Sequence, residues 1–403
     1  MSTPPIENVI SKDRNVLVVL QDEKERNAAT NDLIARFCGQ VVYSISDIGN
    51  KKVYVCGDIS RIKGEPGPFY IIKELSANYE NYNAQVVTLG EVPIVVSNAG
   101  VYFRKLFTDG DYFNKIKSEH AFQELTESNK PSKAFRKGIY LTNITRTENE
   151  AGNEVLNFRL LRCSSNLTGP TDNFRATDHK IINTLNEAVK YVFEYETELN
   201  HVLAQIYENK AKTEENDKEV KSRIKAHSDK TKDMPKAGLI AFCTFYDNAD
   251  VEHLKPSSTD PFDRVYKDVT GFTRLHFKLK STVTDPSLEK EFSVILYPNS
   301  VFMIPLSTNR LYTHEIRPSM LNADRMPTRL GYVVRCSNLE ARYMNDGTYI
   351  NDNGSFIKLE EMTAETHEGL KNSYREENQT EEMITYGKIH FSMNAGDYEK
   401  PIY

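Results

Sequence analysis

Between residues 201 and 340 the chain runs through seven short apolar stretches, "HVLAQIYEN", "GLIAFCTFY", "TRLHFKLKS", "EFSVILYP", "SVFMIPL", "RLYTHEI" and "RLGYVVRCS". Turn-like breaks separate them, and no segment of helical period lies between. Short strands in this succession predict an antiparallel sandwich or jelly roll. The preceding region reads as mixed α/β. "NVLVVL" is a buried-strand run, "EKERNAATNDLIARFCG" is helix-like and ends in Gly39, and further strand-like pieces follow as far as "VPIVVS". No glycines follow "NVLVVL", so a phosphate loop is not expected there. Two strands should flank a turn at Glu148–Asn153, and a helix should span "IINTLNEAVKYVFEYETEL". The expected organisation is an N-terminal α/β accessory region over 1–135, a strand-rich core over 136–345 with a charged insert at 208–224, and a polar, acidic C-terminal extension over 346–403.

Composition narrows the function classes. With 39% hydrophobic residues the 403-residue chain can bury a real core. Its net charge of −6 gives no sign of the basic face that phosphate contacts usually require. Nucleic acid is therefore possible as a partner but not favoured over a small molecule. The five cysteines, Cys38, Cys56, Cys163, Cys243 and Cys336, are odd in number and widely spaced. That fits reduced thiols rather than a disulfide framework or a zinc ribbon. The polar start "MSTPPIENVISKDRN" lacks an apolar signal core, and the longest apolar runs are too short to span a bilayer. A cytoplasmic protein with no membrane partner is the expectation.

Within "RIKAHSDKTKD", His227 and Asp229 stand two residues apart after a charged run and before "GLIAFCTFY". Taken alone, this is a surface loop leading into a strand. If the pair lies near the start of a strand, residues i and i+2 share a face and both side chains can reach one ion. A distant histidine, His314 in "NRLYTHEI", would complete a set of two imidazoles and one carboxylate. Such a set leaves three octahedral positions open and suits non-haem Fe(II). Arg329 and Arg335 follow at even spacing in "RLGYVVR", hence on one face of a strand. A guanidinium binds carboxylate bidentately and stays charged when buried. His201, His253 and His276 lack a carboxylate at comparable spacing and read as structural or surface residues. Arg317 reads as a solvated turn residue.

The order His-x-Asp, distal His, then Arg-x5-Arg resembles the AlkB-like branch of the Fe(II)/2-oxoglutarate-dependent dioxygenases. The likeness covers residues 200 to 340. It implies a double-stranded β-helix with flanking helices, and Fe(II) held by His227, Asp229 and His314. It also implies 2-oxoglutarate and O2 as co-substrates, with Arg329 on the far carboxylate of the keto acid and Arg335 nearer the metal. An Asn-x-Tyr often precedes His-x-Asp in that family. The match in this chain is "QIY", so Tyr207 would serve, with Gln205 in place of Asn. The chain departs from the family in the long charged insert and in Leu330 and Gly331 after Arg329. The resemblance implies C–H oxidation with release of succinate and CO2. A small-molecule substrate is favoured over demethylation of nucleic acid or protein, and an inactive jelly-roll binding module is a further alternative. A second, looser likeness is to the kainoid synthases, which would imply hydroxylation or oxidative cyclisation of an amino-acid-derived substrate. Arg310, Thr171 and Asn173 are candidate substrate contacts, the last two because polar loops carry function.

Overall fold

The computed structural model describes residues 7–403 apart from 46, 47, 49, 63–67, 109, 128–129, 164–166 and 215–216. Strands β1 (Asn15–Leu20), β2 (Gln40–Val42), β3 (Lys52–Asp58), β4 (Tyr70–Ala77) and β5 (Gln85–Val87) form an all-parallel sheet in the order β2-β1-β3-β4-β5. Helix α1 (Ala28–Arg36) makes the crossover from β1 to β2. It starts where the Asn27 side chain accepts a hydrogen bond from the Thr30 amide at 2.9 Å, which satisfies one orphan N–H of the first turn. All six residues of β1 are buried, as expected for a parallel strand covered on both faces.

Next come β6 (Ile94–Val96), β7 (Gly100–Phe103), helix α2 (Tyr112–Glu119), β8 (Gln123–Glu127), β9 (Lys130–Thr142), β10 (Thr145–Glu148), β11 (Glu154–Leu160), β12 (Asp172–Asn173) and helix α3 (Ala176–Val192). The strands of the core follow: β13 (His201–Tyr207), β14 (Ile224–His227) and β15 (Leu239–Tyr246). After helix α4 (Asn248–Val251), β16 (Lys255–Pro256), β17 (Arg264–Tyr266) and β18 (Val269–Thr270) make a small ribbon. The core then continues through β19 (Arg274–Leu279), β20 (Glu291–Ile295), β21 (Ser300–Pro305), helix α5 (Leu306–Leu311), β22 (Tyr312–Arg317) and β23 (Arg329–Arg335). From β13 to β23, apart from the ribbon, the strands divide between two sheets. The large sheet contains the antiparallel run β13-β23-β15-β21, and the small sheet has the order β14-β22-β19-β20. The first strand of the set pairs with the last.

Two cores result. Ala241, Cys243 and Phe245 of β15 face α2 and α3 and pack with Phe113, Ile116 and Ile181. Ile240, Phe242 and Tyr246 of the same strand face the small sheet and pack with Leu275, Phe277 and Ile316. Hence all eight residues of β15 are buried, and its sequence is continuously apolar rather than alternating. Strand β22 has only one covered face, so burial alternates, with Tyr312, His314 and Ile316 inside.

Three expectations change here. The stretch 201–340 does contain helices, α4 and α5, but with four and six residues each is too short to show a helical period. Residue 135 is not a structural break. Strands β6 and β7 belong to the large sheet, and β9 crosses that position. The stretch after 345 does not stand apart: β24 (Leu339–Met344), β25 (Gly347–Asp352) and β26 (Ser355–Lys358) continue a sheet begun by β10 and β11, and helix α6 (Ala364–Gln379) follows. The polar loop around Thr171 and Asn173 is a seam with the C-terminus, because Ile402 donates its amide to Thr171 O at 3.0 Å and accepts from the Asn173 amide at 2.9 Å.

Buried His120, just past α2, ties this seam to α3. Its Nδ1 lies 2.8 Å from Asp172 Oδ2 and its Nε2 2.8 Å from Asp178 Oδ2. Burial alone would lower the imidazole pKa, but the two carboxylates reverse that and push it up to about 9. The stabilisation is therefore full below the ordinary histidine value of about 6.5 and is lost as pH rises through about 9. Thermal melts should show stability falling across that interval in the wild type, with a flatter profile in His120→Gln. Parallel profiles would contradict the assignment.

Candidate metal centre

His227 closes β14, and its registered partner on β22 is His314. Their ring centroids are 4.5 Å apart on the face of the small sheet that looks at the large one. The expectation that His227 and Asp229 share one strand face near a strand's start is not met. His227 is the last residue of its strand, and Asp229 lies in the loop beyond it. A clamp replaces the pleat. Buried Asn309 on α5 accepts from the Asp229 amide at 2.8 Å and donates to the Asp229 carbonyl at 2.9 Å. The neighbouring Ser228 amide donates to Asn378 Oδ1 of α6 at 2.7 Å, and the Thr231 amide donates to Glu377 Oε1 at 3.0 Å. At the loop's far end, Asp233 accepts from Arg162 and Lys232.

The Asp229 carboxylate is thereby divided between two tasks. Its Oδ2 accepts from Arg335 Nε of β23 at 2.7 Å and lies 2.7 Å from Nη2 of the same guanidinium. Its Oδ1 faces His227 Nε2 at 3.6 Å and His314 Nε2 at 3.8 Å. Burial pushes the carboxyl pKa up, but the Arg335 guanidinium beside it holds it well below the usual carboxylate range, so it is ionised. Burial pushes His314 down to about 3, which leaves a neutral imidazole. His227 Nδ1 lies 2.9 Å from the Lys225 carbonyl, and donation there leaves the Nε2 lone pair free for a metal.

One ligand atom from each of His227, Asp229 and His314 lies within 4.8 Å of the others. Ligands about 2.1 Å from a metal at right angles are about 3 Å apart, so a small inward shift would close the three around an ion. A second cluster, Glu119, His120 and Asp178, meets the same distance test. Both His120 ring nitrogens are already taken by carboxylates, so no imidazole lone pair remains there for an ion.

Beside the first cluster lies a cavity of about 70 Å³. That is about the liquid volume of two waters. Gln205, Tyr207, Phe242, Thr244, Arg329 and Arg335 line it together with the three metal-ligating candidates. Arg329 is 4% exposed, its Nη2 has no hydrogen-bond partner among the described residues, and its guanidinium lies 3.8 Å from the centre of the Tyr207 ring. Tyr207 Oη donates to Gln205 Oε1 at 3.0 Å. A side chain at Gly331 would start 2.9 Å from Arg329 Nη1 and 3.1 Å from the Tyr207 ring. The glycine is what lets the guanidinium lie on the phenol.

The sequence-predicted residues thus separate. His227, Asp229, His314, Arg329, Arg335, Tyr207 and Gln205 surround one cavity. Arg310, Thr171 and Asn173 do not. Arg310 pairs with Glu7 at 2.9 Å and donates to the Glu381 carbonyl at 2.6 Å, tying the chain's two ends together. Asn173 Oδ1 accepts from the Ile144 amide. The insert over 208–224 is pinned at its base by a bridge between Lys210 and Val220 and by the Ser222 amide on Asn209. Sequence reasoning missed Asn309, Glu377 and Asn378. The one local signal was Asn309, a buried amide flanked by strands and five residues before His314.

No family model and no curated protein matches the chain. Among solved structures, "The structure of OsALKBH1" aligns with 59% of this chain and 96% of that one, at 12% identity and a TM-score of 0.31. A likeness that loose carries no functional weight.

Removing groups that position a metal ligand typically weakens metal binding 10- to 100-fold. Asn309→Ala and Arg335→Met should each lower Mn(II) affinity by about that factor in an equilibrium titration, whereas Arg310→Ala should leave it unchanged. Equal affinities in all three variants would contradict the assigned geometry.

Proposed function

We propose that the protein is an Fe(II)- and 2-oxoglutarate-dependent dioxygenase acting on a small molecule in the cytoplasm. The order of the two facing sheets supports reading β13 to β23 as a double-stranded β-helix, the closed pair of Greek keys of a jelly roll. His227, Asp229 and His314 fit Fe(II) by donor type, count and convergence, with three coordination positions left open. Iron bound there would supply the activation of O2 that oxidises a substrate C–H bond, while 2-oxoglutarate is converted to succinate and CO2.

The observation that carries this reading is the state of Arg329. A buried guanidinium with no acidic partner is costly, and the usual remedy is a bound anion. It lines the same cavity as the three metal-ligating candidates. A dicarboxylate could place its far carboxylate on Arg329 and its keto-acid end toward the metal. Tyr207 supplies the aromatic face under the guanidinium, and Gly331 keeps the approach open. Arg335 holds Asp229 ionised and aims its free oxygen at the two histidines. Phe242, Leu275, Leu296 and Ile316 give the same space an apolar wall. The net charge of −6 favours a small molecule over nucleic acid as the substrate. The N-terminal α/β region, the insert over 208–224 and the C-terminal extension would frame the β-helix core.

With Fe(II), ascorbate and air, the wild type should convert 2-oxoglutarate to succinate slowly even without substrate, and His314→Ala should not. Arg329→Ala should raise the 2-oxoglutarate concentration needed by about 10²-fold, the scale of truncating one partner of a buried charge pair, while Mn(II) binding stays unchanged. Succinate formation no greater in the wild type than in His314→Ala would contradict the proposal.

A further inference from the structure

Four arginines are buried among the described residues, Arg136, Arg162, Arg329 and Arg335, each 4% to 7% exposed. Arg162 is held by Asp233 at 2.8 Å and Arg335 by Asp229 at 2.7 Å. The other two have no carboxylate partner among the described residues. Arg329 has the face of Tyr207. Arg136 has neither an acid nor a ring, and its buried Nε meets no acceptor among the described residues.

The register places these two unpaired cations together. Arg136 of β9 stands directly opposite Tyr207 of β13. Tyr207 stands opposite Arg329 of β23, and Arg329 opposite Tyr246 of β15. Directly opposed residues of antiparallel strands project to the same face. Arg136, Tyr207, Arg329 and Tyr246 therefore form a row across four strands, on the face that Tyr207 and Arg329 turn to the cavity. Arg136 lies two strand spacings from Arg329, or about 10 Å. The backbone just before it is unusual. Phe135 has a φ of +50°, a left-handed conformation that bulky residues rarely adopt, and its carbonyl accepts the Glu208 amide at 3.1 Å. Such a bend persists only where the surroundings fix it, and here it precedes the buried arginine that has neither an acidic nor an aromatic partner among the described residues.

We infer that Arg136 binds an anionic group of the molecule to be oxidised, a carboxylate or a phosphate, while Arg329 takes the carboxylate of the keto acid. The inference rests on the dioxygenase reading of the cavity that Tyr207 and Arg329 line, beyond which Arg136 continues the row, and it narrows the substrate to a small anion. A desolvated guanidinium rejects a neutral analogue because its own donors would be left unpaired. The division of labour also gives the two anions separate seats, so the substrate need not compete with 2-oxoglutarate.

The test uses thermal melts of the full chain loaded with Mn(II) and saturating 2-oxoglutarate, titrated with acetate or inorganic phosphate, with sodium chloride as the ionic-strength control. A ligand that binds the folded state raises the melting temperature by mass action. Acetate, phosphate or both should raise it beyond the chloride control in the wild type, and the stronger of the two identifies the anion class. Arg136→Gln should weaken that effect at least tenfold, and Arg136→Lys, which keeps the charge, should retain part of it. The shift produced by 2-oxoglutarate itself should be the same in all three proteins. No anion effect in the wild type, or an equal effect in Arg136→Gln, overturns the inference. If Arg136→Gln melts too low to titrate, Arg136→Lys decides, because an undiminished effect there overturns it as well. A wild type that does not respond to 2-oxoglutarate at all would instead count against the dioxygenase reading, and the acetate and phosphate titrations on metal-free protein would still test Arg136 by the same comparison.

Discussion

The two sheets meet chemically at the carboxylate of Asp229. One oxygen is fixed by Arg335 from the large sheet, and the other looks at two imidazoles of the small sheet. A buried carboxylate is expensive to ionise unless it is paired and hydrogen-bonded. Here the guanidinium meets that cost while using only one of the two oxygens. The remaining oxygen is thus negative, oriented and, among the described residues, free of any backbone donor. Position and charge come from one contact, which is why the large sheet needs an arginine at the end of β23.

Holding Asp229 is a task shared by parts of the chain far apart in sequence. Asn309 fixes its backbone, Asn378 and Glu377 fix its neighbours Ser228 and Thr231, and Arg162 fixes Asp233 at the other end of the loop. Lys280 donates to the carbonyls of Glu377 and Thr380 at the C-terminal end of α6, where the helix leaves its last carbonyls unpaired. Arg162 also donates to the carbonyls of Ile389 and Phe391. The C-terminal extension therefore acts as a brace behind the loop that carries Asp229. It ties down the short irregular segment that follows His227 and carries Asp229.

The candidate site was legible in part because its residues break the pattern around them. Two arginines in the otherwise apolar "RLGYVVR" and a histidine in "RLYTHEI" are anomalous in buried strands, and that anomaly marks them as candidates. Arg310, near His314, was a candidate substrate contact, yet its partner Glu7 lies about 300 residues away, and no local pattern announces such a pair. Helix α6 was hidden by its composition, since a helix that docks mainly through polar contacts carries only a weak apolar stripe. Arg136 was hidden by its neighbours, for "KAFRKG" reads as a solvated basic run. Only the register shows that Arg136 faces inward while Lys137 pairs outward with Glu208. The position of His227 at a strand's end, rather than its start, was likewise beyond local pattern, because a side chain on a distant helix turns Asp229 out of the ladder.

The most direct test of the account is optical, because the central claim is that three side chains hold Fe(II) with room for a chelating keto acid. Under anaerobic conditions, Fe(II) followed by 2-oxoglutarate should produce a weak visible charge-transfer band that saturates at one equivalent of each per chain. The band should vanish in Asp229→Ala and require far more 2-oxoglutarate in Arg329→Ala. Absence of the band in the wild type, or its survival in Asp229→Ala, would contradict the account.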